Sequence, residues 1–293
     1  MAIKTYLRNI TLIVSSLFLF SSCEKEIKLK LPEQERKLVV EGWIEQNKPA
    51  VVILTKSSSY FDSINQAALL GSIVTDATVS VSDGVTTEQL ICSSVDFFPL
   101  KAYLGSTLKG EIGKTYSLSV DWQGKHYSSV TTIKKTVKWD SLWFELKPDD
   151  DSLGNVYGRA TDDGTVYNYY RAYTKILHVD SDFVPIYGSV WDDKFFSGQT
   201  LTGQLYHGIA SNIVPPDENN KRGLYYKIGD SVVTRLSTMD SISFAFWKAA
   251  ESEIYSGGNP FSSTTSVPTN IVGGALGCWT GYGSTYDTII CKK

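Results

Sequence analysis

Cys23 is the residue with the most specific chemistry in this sequence. A positively charged start, with Lys4 and Arg8, precedes an uncharged and mainly apolar run at residues 10–20, which has the length of a signal peptide rather than of a membrane span. Two small serines then lead directly to Cys23. In bacterial lipoproteins such a cysteine receives a diacylglyceryl group on its thiol, and the chain is cut before it. The pattern predicts a signal peptide at residues 1–22 and lipidation of Cys23.

Lipid on Cys23 would place the mature chain at a membrane. One acyl chain binds weakly, at about 0.8 kcal/mol per buried methylene, whereas two or more hold a protein stably. The alternative is an ordinary signal peptide, after which Cys23 enters a disulfide. Residues 23–36 are rich in Lys, Glu and Gln and are predicted to form a solvated tether.

The acidic start of this tether, with Glu24 and Glu26, bears on location. It resembles the export signal of surface lipoproteins in Bacteroidota, and the alternative is a plain solvated linker. We therefore expect a lipid-anchored protein of the outer membrane that is exposed at the cell surface.

No residue pattern predicts catalysis, a metal site or a cofactor. The three histidines, His126, His178 and His207, stand far apart, and the sequence has no HExxH, GxSxG, phosphate-loop or GxGxxG motif. The acidic clusters at residues 149–151, 162–163 and 192–193 are predicted to be solvated turns. The expectation is a protein that is not an enzyme and that contains no cofactor.

Aromatic side chains are the remaining candidates for binding. Rings in exposed loops stack on sugars or anchor protein interfaces, although most Trp and Tyr side chains are core residues. Six aromatic residues lie in Gly-rich segments that resemble loops: Trp191, Tyr206, Tyr225, Tyr226, Trp279 and Tyr282. We predict a ligand site among these six, with burial in the core as the alternative.

Two cysteines near the end of the sequence could form a disulfide. Cys278 and Cys291 are close in sequence, and an oxidising envelope would permit a bridge across a C-terminal hairpin. The alternative is that Cys92, Cys278 and Cys291 are all buried thiols. No pair has the CxxC spacing of zinc or redox sites.

Composition and periodicity predict a mainly β protein. The formal net charge of −3 gives no electrostatic basis for binding nucleic acid. Alternation is clearest at Tyr116, Leu118, Val120 and Trp122, before a predicted turn at residues 123–124. We predict an immunoglobulin-like β-sandwich at residues 37–137 and a β-rich C-terminal domain with one or a few helices at residues 138–293.

One helix is predicted in the second domain. Ser237 and Asp240 have the spacing of a capping box, apolar residues follow at helical spacing, and Gly257 is expected to end the helix.

Several phrases together resemble one family. They are "LVVEGWI" (38–44), "YSLSV" with "GKHYSSVTTI" (116–133), "YYRAY" (169–173), "DDKFFSG" (192–198), "FAFWK" (244–248), "NPF" (259–261) and "NIVGGALGCWTGYG" (270–283). In this order they are similar to a family of Bacteroidota lipoproteins catalogued only as domain of unknown function 4249. The resemblance covers nearly all of the mature chain, and no catalytic residue belongs to the family pattern.

The resemblance implies a role beside a transporter. Members look like outer-membrane lipoproteins that accompany TonB-dependent transporters. We therefore expect an accessory binding or partner protein of such a transporter in nutrient uptake. The alternatives are a structural or adhesin-like module without a small-molecule ligand and, less well supported, a surface hydrolase.

Overall fold

The computed structural model describes residues 35–58, 65–95, 98–208, 223–256 and 266–293. Within these ranges strands dominate, so the predicted mainly β class with few helices is confirmed. The two helices are α1 (Gln66–Ser72) and α2 (Ser241–Ser256). The strands are β1 (Leu38–Glu45), β2 (Pro49–Lys56), β3 (Thr78–Ser82), β4 (Thr87–Gln89), β5 (Ile91–Val95), β6 (Phe98–Lys109), β7 (Thr115–Trp122), β8 (Lys125–Thr132), β9 (Ser141–Leu146), β10 (Leu153–Thr161), β11 (Tyr169–Ile176), β12 (Val184–Asp192), β13 (Thr200–Leu205), β14 (Tyr226–Lys227), β15 (Ser231–Thr238) and β16 (Leu276–Ile290).

One eight-stranded sheet, in the order β12-β11-β15-β16-β1-β2-β6-β5, is the largest layer. Its β16 strand is long and has two partners. The first part of β16 pairs in parallel with β1, from Leu276 opposite Val39 to Tyr282 opposite Glu45. The second part pairs antiparallel with β15, from Gly283 to Ile290. The β16 strand thus connects the half of the sheet that contains β1 with the half that contains β15.

A four-stranded sheet, in the order β4-β3-β7-β8, packs on the β1–β2 end of the large sheet. Val40 and Leu54 of the large sheet share a buried core with Val81 and Leu118 of the small one, as in a β-sandwich. The predicted alternation is confirmed, because the four side chains assigned to one face of β7 are all buried. The predicted turn is also confirmed, since residues 123 and 124 join β7 to β8 with positive φ angles of 51° and 73°.

Glu88 connects the two layers of this sandwich. It lies on β4 of the small sheet, and its carboxylate accepts hydrogen bonds from the backbone N–H groups of Ser106, Thr107 and Leu108 on β6 of the large sheet. The Ser106 hydroxyl donates a further bond of 2.9 Å. One side chain therefore satisfies a stretch of backbone that strand pairing leaves open.

A second four-stranded sheet covers the β11–β15 end of the large sheet. Its order is β13-β10-β14, and β9 also pairs with β10. Buried residues of this sheet, such as Val156 and Tyr226, share a second core with Tyr170, Ala172 and Leu236 of the large sheet.

The domain boundary expected at residues 137/138 stays a prediction. The core of the first sandwich draws on residues between Leu38 and Ile133 and also on Ile271, Ala275 and Trp279, whereas the first residue packed against the second core is Val137. β16 contributes to both, through Trp279 and Ile289, and residues Arg36–Lys293 form one compact unit. The predicted signal peptide at residues 1–22, and the tether up to residue 34, lie outside the described residues.

The predicted disulfide between Cys278 and Cys291 is wrong. The two cysteines form no disulfide, since Cys278 lies near the start of β16 and Cys291 directly follows its end. A strand rises by about 3.3 Å per residue, so the two sulfur atoms are held far beyond bonding distance. Cys278 instead contacts the hydroxyls of Thr280 and Ser243 at 3.3 and 3.8 Å.

The predicted helix exists as α2, but it begins later than the capping-box pattern indicated. Ser237 belongs to β15, where its hydroxyl lies 2.8 Å from that of Ser284. Asp240 caps the helix by accepting a 2.8 Å hydrogen bond from the Ser243 backbone N–H. The predicted end at Gly257 lies outside the described residues.

Candidate functional site

A cavity of about 140 Å³ lies between the second small sheet and the β11–β12–β15 end of the large one. Its walls are mainly apolar and aromatic. The side chains that form most of them are Trp139, Tyr170, Ile186, Trp191, Phe196 and Leu236. Concave apolar sites with a few polar groups are the usual places where proteins bind small molecules.

Strand alternation and one glycine place these side chains. On β11, Tyr170 and Ala172 face the cavity side, whereas Arg171 and Tyr173 face the opposite side of the sheet. On β10, Gly158 lies under the ring of Trp139, where a Cβ atom would come within 2.8 Å of the ring carbons. Glycine at position 158 therefore allows the indole to lie flat against β10 as a wall of the cavity.

Three rings line one side of the cavity. The centroids of Tyr170 and Trp191 are 5.8 Å apart, and those of Tyr170 and Phe196 are 6.4 Å apart, each pair with an interplanar angle of 25°. Near-parallel, offset rings stabilise one another and present a continuous flat surface. Such a surface matches a planar or cyclic apolar ligand.

Asp162 holds this aromatic wall in place. Its carboxylate accepts hydrogen bonds from the Tyr170 hydroxyl, from the Asn168 side-chain amide at 3.1 Å and from the Gly198 backbone N–H at 2.8 Å. Burial, followed by the contact with Asp162, raises the pKa of the Tyr170 phenol. Tyr170 is therefore a permanent donor to Asp162, and the carboxylate serves to position the ring.

Two polar groups at the cavity are left without partners. The Trp139 indole Nε1 is buried and has no hydrogen-bond acceptor among the described residues. The half-buried Gln204 amide also lines the cavity and has no hydrogen-bond partner in the described part of the chain. Buried indole N–H groups usually have an acceptor, so Trp139 is a cavity residue whose donor is unsatisfied among the described residues.

A polar groove adjoins the cavity. It has a volume of about 260 Å³ and shares Val137 and Asp162 with the cavity. Charged side chains line it, including Lys138 and the ion pair between Lys135 and Asp163, whose Nζ–Oδ2 distance is 2.9 Å. An apolar ligand in the cavity could thus extend a polar end toward water.

Of the six aromatic residues predicted to bind a ligand, Trp191 lines the cavity. Tyr206 lies next to it, because its ring makes an edge contact with the cavity residue Tyr187 at a centroid distance of 6.5 Å. Tyr225 is half-buried outside the cavity, with Lys147 Nζ 4.2 Å from the centre of its ring.

The placement of the other three in exposed loops is wrong. Tyr226, Trp279 and Tyr282 are buried, and the last two lie on β16 in the middle of the large sheet. The Trp279 Nε1 donates to the Tyr116 carbonyl at 3.0 Å. The glycines near Trp279 make this part of the sequence resemble a loop. In the structure Gly277, with a φ of 105°, instead allows β16 to lie close to the Val40 backbone of β1.

Sequence reasoning missed most of the cavity, because its walls come from distant parts of the chain. In the sequence, Tyr170 and Phe196 stand out only as parts of the family phrases "YYRAY" (169–173) and "DDKFFSG" (192–198), and Trp139 does not stand out at all. Asp162 was interpreted as part of a solvated turn, but it is buried. The one local signal for a role of Asp162 is its position in the sequence shortly before the aromatic residues 169–173.

The described ranges were also compared with the arrangements typical of nucleophilic catalysis, metal binding and membrane spans. His207 Nε2 lies 3.0 Å from Asp180 Oδ2, but among these residues no hydroxyl or thiol is hydrogen-bonded to the imidazole. No cluster of three or more His, Cys, Asp or Glu residues in the same ranges has a metal-binding arrangement. Neither described helix is both long and apolar enough to cross a bilayer.

Comparison with known proteins gives one result. A family model described as "Domain of unknown function (DUF4249)" matches residues 24–287, a range that includes every residue of the cavity. No curated protein matches the chain.

Proposed function

We propose that this chain, which belongs to the family described as domain of unknown function DUF4249, is a lipid-anchored binding protein of a Bacteroidota outer membrane. It captures a small, mainly apolar ring compound and passes it to a TonB-dependent transporter. The observation that carries the proposal is the aromatic cavity beside Tyr170, in which Trp139 holds an unused hydrogen-bond donor.

The size and lining of the cavity define the class of ligand. A closed apolar cavity of roughly 150 Å³ takes up benzene in other proteins, and the volume here is about 140 Å³. Its walls are too apolar to satisfy the many hydroxyls of a sugar. A single ring with one acceptor, placed against the Trp139 Nε1, fits both the space and the chemistry.

The location rests on the sequence around Cys23. Acylation of Cys23 would hold the protein at the membrane surface, and the acidic residues that follow support export to the outside of the cell. A protein tethered there meets nutrients before a transporter does. The transporter as partner rests on what resemblance to the family implies.

Substitution of one indole tests ligand capture. Trp139→Phe replaces the indole with a smaller phenyl ring and removes the N–H, so we expect phenyl ketones to lose about tenfold more affinity than toluene, which has no acceptor. The matched control is Trp143→Phe, which removes a surface indole that donates to Glu145 at 2.7 Å. Calorimetric titration of the mature chain with Cys23 replaced by Ser measures both. Equal binding of all ligands by both variants would refute the assignment of Trp139.

Co-purification tests the partner. Membranes that contain the acylated protein are solubilised in mild detergent and captured through a C-terminal tag, and we expect a TonB-dependent transporter in the eluate. The Cys23→Ser chain, which cannot be acylated, is the control for non-specific capture. Recovery of the acylated protein without a transporter would contradict the proposed partnership.

A structural or adhesin-like module is the second candidate. It is favoured by exposed apolar side chains near the cavity, with Phe195 86% exposed and Tyr187 54% exposed. Interfaces use such rings as anchors. Failure of every apolar ring compound to bind, together with capture of a protein other than a transporter, would favour this reading.

A further inference from the structure

Asp162 lies where the aromatic cavity meets the polar groove, and it lines both. The residue is 8% exposed, so its carboxylate is largely removed from water. No Lys, Arg or His nitrogen lies within 4.0 Å of this carboxylate among the described residues. Buried carboxylates are normally paired with a cation, because removing an ion from water is costly. Asp162 is thus a negative group beside the proposed ligand that lacks a positive partner in the described ranges.

The hydrogen bonds of Asp162 leave an acceptor position open. Oδ1 accepts from the Tyr170 hydroxyl and from the Asn168 amide at 3.1 Å, whereas Oδ2 accepts only from the Gly198 backbone N–H, at 2.8 Å, among the described residues. An ionised carboxylate offers about four acceptor positions on its two oxygens. The three donors are all neutral, so they orient the carboxylate without balancing its charge. Oδ2 therefore retains a lone pair for a ligand donor that is positively charged.

A second buried carboxylate adds to the negative charge at this place. Asp193 is fully buried, and its Oδ2 accepts a 2.8 Å hydrogen bond from the backbone N–H of Asn168, the residue whose side chain donates to Asp162. Oδ1 of Asp193 has no hydrogen-bond partner, and no cationic nitrogen lies within 4.0 Å of Asp193 in the part of the chain that the structure describes. Asp193 lines neither the cavity nor the groove, so it acts on a ligand through its charge alone.

The charged residues of the groove do not neutralise Asp162. The lining includes two lysines and three aspartates: Lys135, Lys138, Asp140, Asp162 and Asp163. Lys135 Nζ lies 2.9 Å from Asp163 Oδ2, so its charge is already paired. Lys138 and Asp140 are both exposed, and water and salt screen them. Three negative charges against two positive ones leave an excess of one negative charge, which favours a cation over an anion.

The aromatic wall attracts a cation as well as an apolar ring. Faces of aromatic rings carry partial negative charge, and ammonium groups bind to them, most strongly where water is excluded. The ring of Tyr170, whose hydroxyl donates to Asp162, has its centre 5.8 Å from that of Trp191 and 6.4 Å from that of Phe196. The carboxylate and the ring faces therefore attract the same kind of group from neighbouring positions.

We propose that the ligand of this cavity is a protonated amine that carries an apolar ring, with the ring on the aromatic wall and the ammonium group on Asp162. This inference rests on the proposed function, because it names the class of ring compound that the cavity captures. A neutral ring leaves the two buried carboxylates without a counter-ion, and a ring with a carboxylate adds a further negative charge. An inorganic cation balances the charge but leaves the apolar walls unfilled. An arylalkylamine satisfies both parts of the site.

Titration calorimetry with matched compounds tests the charge of the ligand. The mature chain with Cys23 replaced by Ser, in phosphate buffer at pH 7, is titrated with toluene, with benzoate and with benzylamine, which is protonated at this pH as a lysine side chain is. We expect benzylamine to bind at least about tenfold more tightly than toluene, and benzoate more weakly than toluene. Benzylamine that binds no more tightly than toluene would overturn this inference and leave the capture of apolar rings intact. Absence of binding by benzylamine, toluene and phenyl ketones alike would overturn both.

Inorganic cations separate the effect of charge from that of the ring. Potassium chloride and calcium chloride are titrated into the same chain without an organic compound. We expect both ions to bind more weakly than benzylamine, because neither fills the apolar walls. Tighter binding of either ion, with displacement of benzylamine, would overturn the assignment of an amine.

Asp162→Asn locates the ammonium group. The variant keeps the size of the side chain but removes its charge, so the affinity for benzylamine should fall to about that for toluene, and unchanged binding of toluene shows that the cavity is intact. The matched control is Asp121→Asn, which neutralises an exposed carboxylate of the first sandwich. An unchanged preference for benzylamine in Asp162→Asn would refute the assignment.

A second variant keeps the inference testable if Asp162→Asn does not fold, as judged by circular dichroism. Asp193→Asn removes the neighbouring buried charge without changing the lining of the cavity. We expect it to weaken the binding of benzylamine several-fold relative to toluene, because less negative charge then lies beside the ammonium group. An unchanged ratio of the two affinities would count against a cationic ligand.

Discussion

Neutralising Glu88 should weaken the sandwich, because it breaks one of the hydrogen bonds by which Glu88 joins the two sheets. In Glu88→Gln, one oxygen can still accept from the Ser106 and Thr107 backbone, but an NH₂ group would replace the oxygen that accepts from Leu108 N–H at 2.8 Å. Two donors would then face each other. We expect a loss of stability at pH 7 without a change of fold.

The size of the effect follows from the titration of this carboxyl. Burial raises the pKa of Glu88, but hydrogen bonds from Leu108, Thr107 and Ser106 outweigh burial and lower it from 4.5 to about 2. At about 1.4 kcal/mol per pKa unit the difference is at most about 3.5 kcal/mol, and solvent at this partly exposed site reduces it to about 1–2 kcal/mol. Because the folded pKa is depressed, this stabilisation is present above pH 4.5 and is lost as the pH falls toward 2.

Urea unfolding of the wild type and of Glu88→Gln, at pH 7 and at pH 2.5, measures this contribution. The two free energies of unfolding should differ by about 1–2 kcal/mol at pH 7, and this difference should be at least halved at pH 2.5, which is close to the folded pKa of about 2. Glu111→Gln is the control, since its exposed carboxylate pairs only with Lys114 among the described residues and should have little effect at either pH. A constant difference between the wild type and Glu88→Gln across this pH range would refute the reasoning.

Two further predictions concern backbone space and thiol reactivity. Gly158→Ala would bring a Cβ atom within 2.8 Å of the Trp139 ring and should lower the free energy of unfolding by about 1–3 kcal/mol, as measured by calorimetry. The control is Gly203→Ala, which has open space at its Cβ position and should not produce a clash. Equal losses of stability in the two variants would contradict the packing of Trp139 on Gly158. Burial raises the pKa of the Cys278 thiol to about 11, so iodoacetamide at pH 8 should modify the half-buried Cys92 first, as measured by mass spectrometry. Faster labelling of Cys278 would show that its surroundings are open.

Local patterns in the sequence predicted local structure well. The β7–β8 hairpin was predictable because alternation from Tyr116 to Trp122 and the turn at residues 123–124 are encoded within one short segment. The first part of β16 has the appearance of a loop because glycines interrupt its alternation. Gly277 is required there by contact with the backbone of a strand from the other end of the chain, which no local pattern reveals.

The candidate sites were less predictable than the fold. The cavity combines Trp139, Tyr170 and Trp191, each of which is an ordinary core residue by type, and only the packing of two sheets makes a cavity between them. Arg171 and Glu251 contact the same Ser189 hydroxyl, and the sequence does not state which charges lie together. Side-chain neighbours of this kind follow from strand order rather than from spacing along the chain.

The position of β16 has a kinetic consequence. The pairing of Val39 with Leu276 joins residues from near the two ends of the described chain, and the central sheet is incomplete until that contact forms. Loop closure over such a separation is slow, so the edges of β1 and β15 stay open for a long time during biogenesis. Until residues 276–290 are in place, one edge of β1 and one edge of β15 therefore have no partner strand.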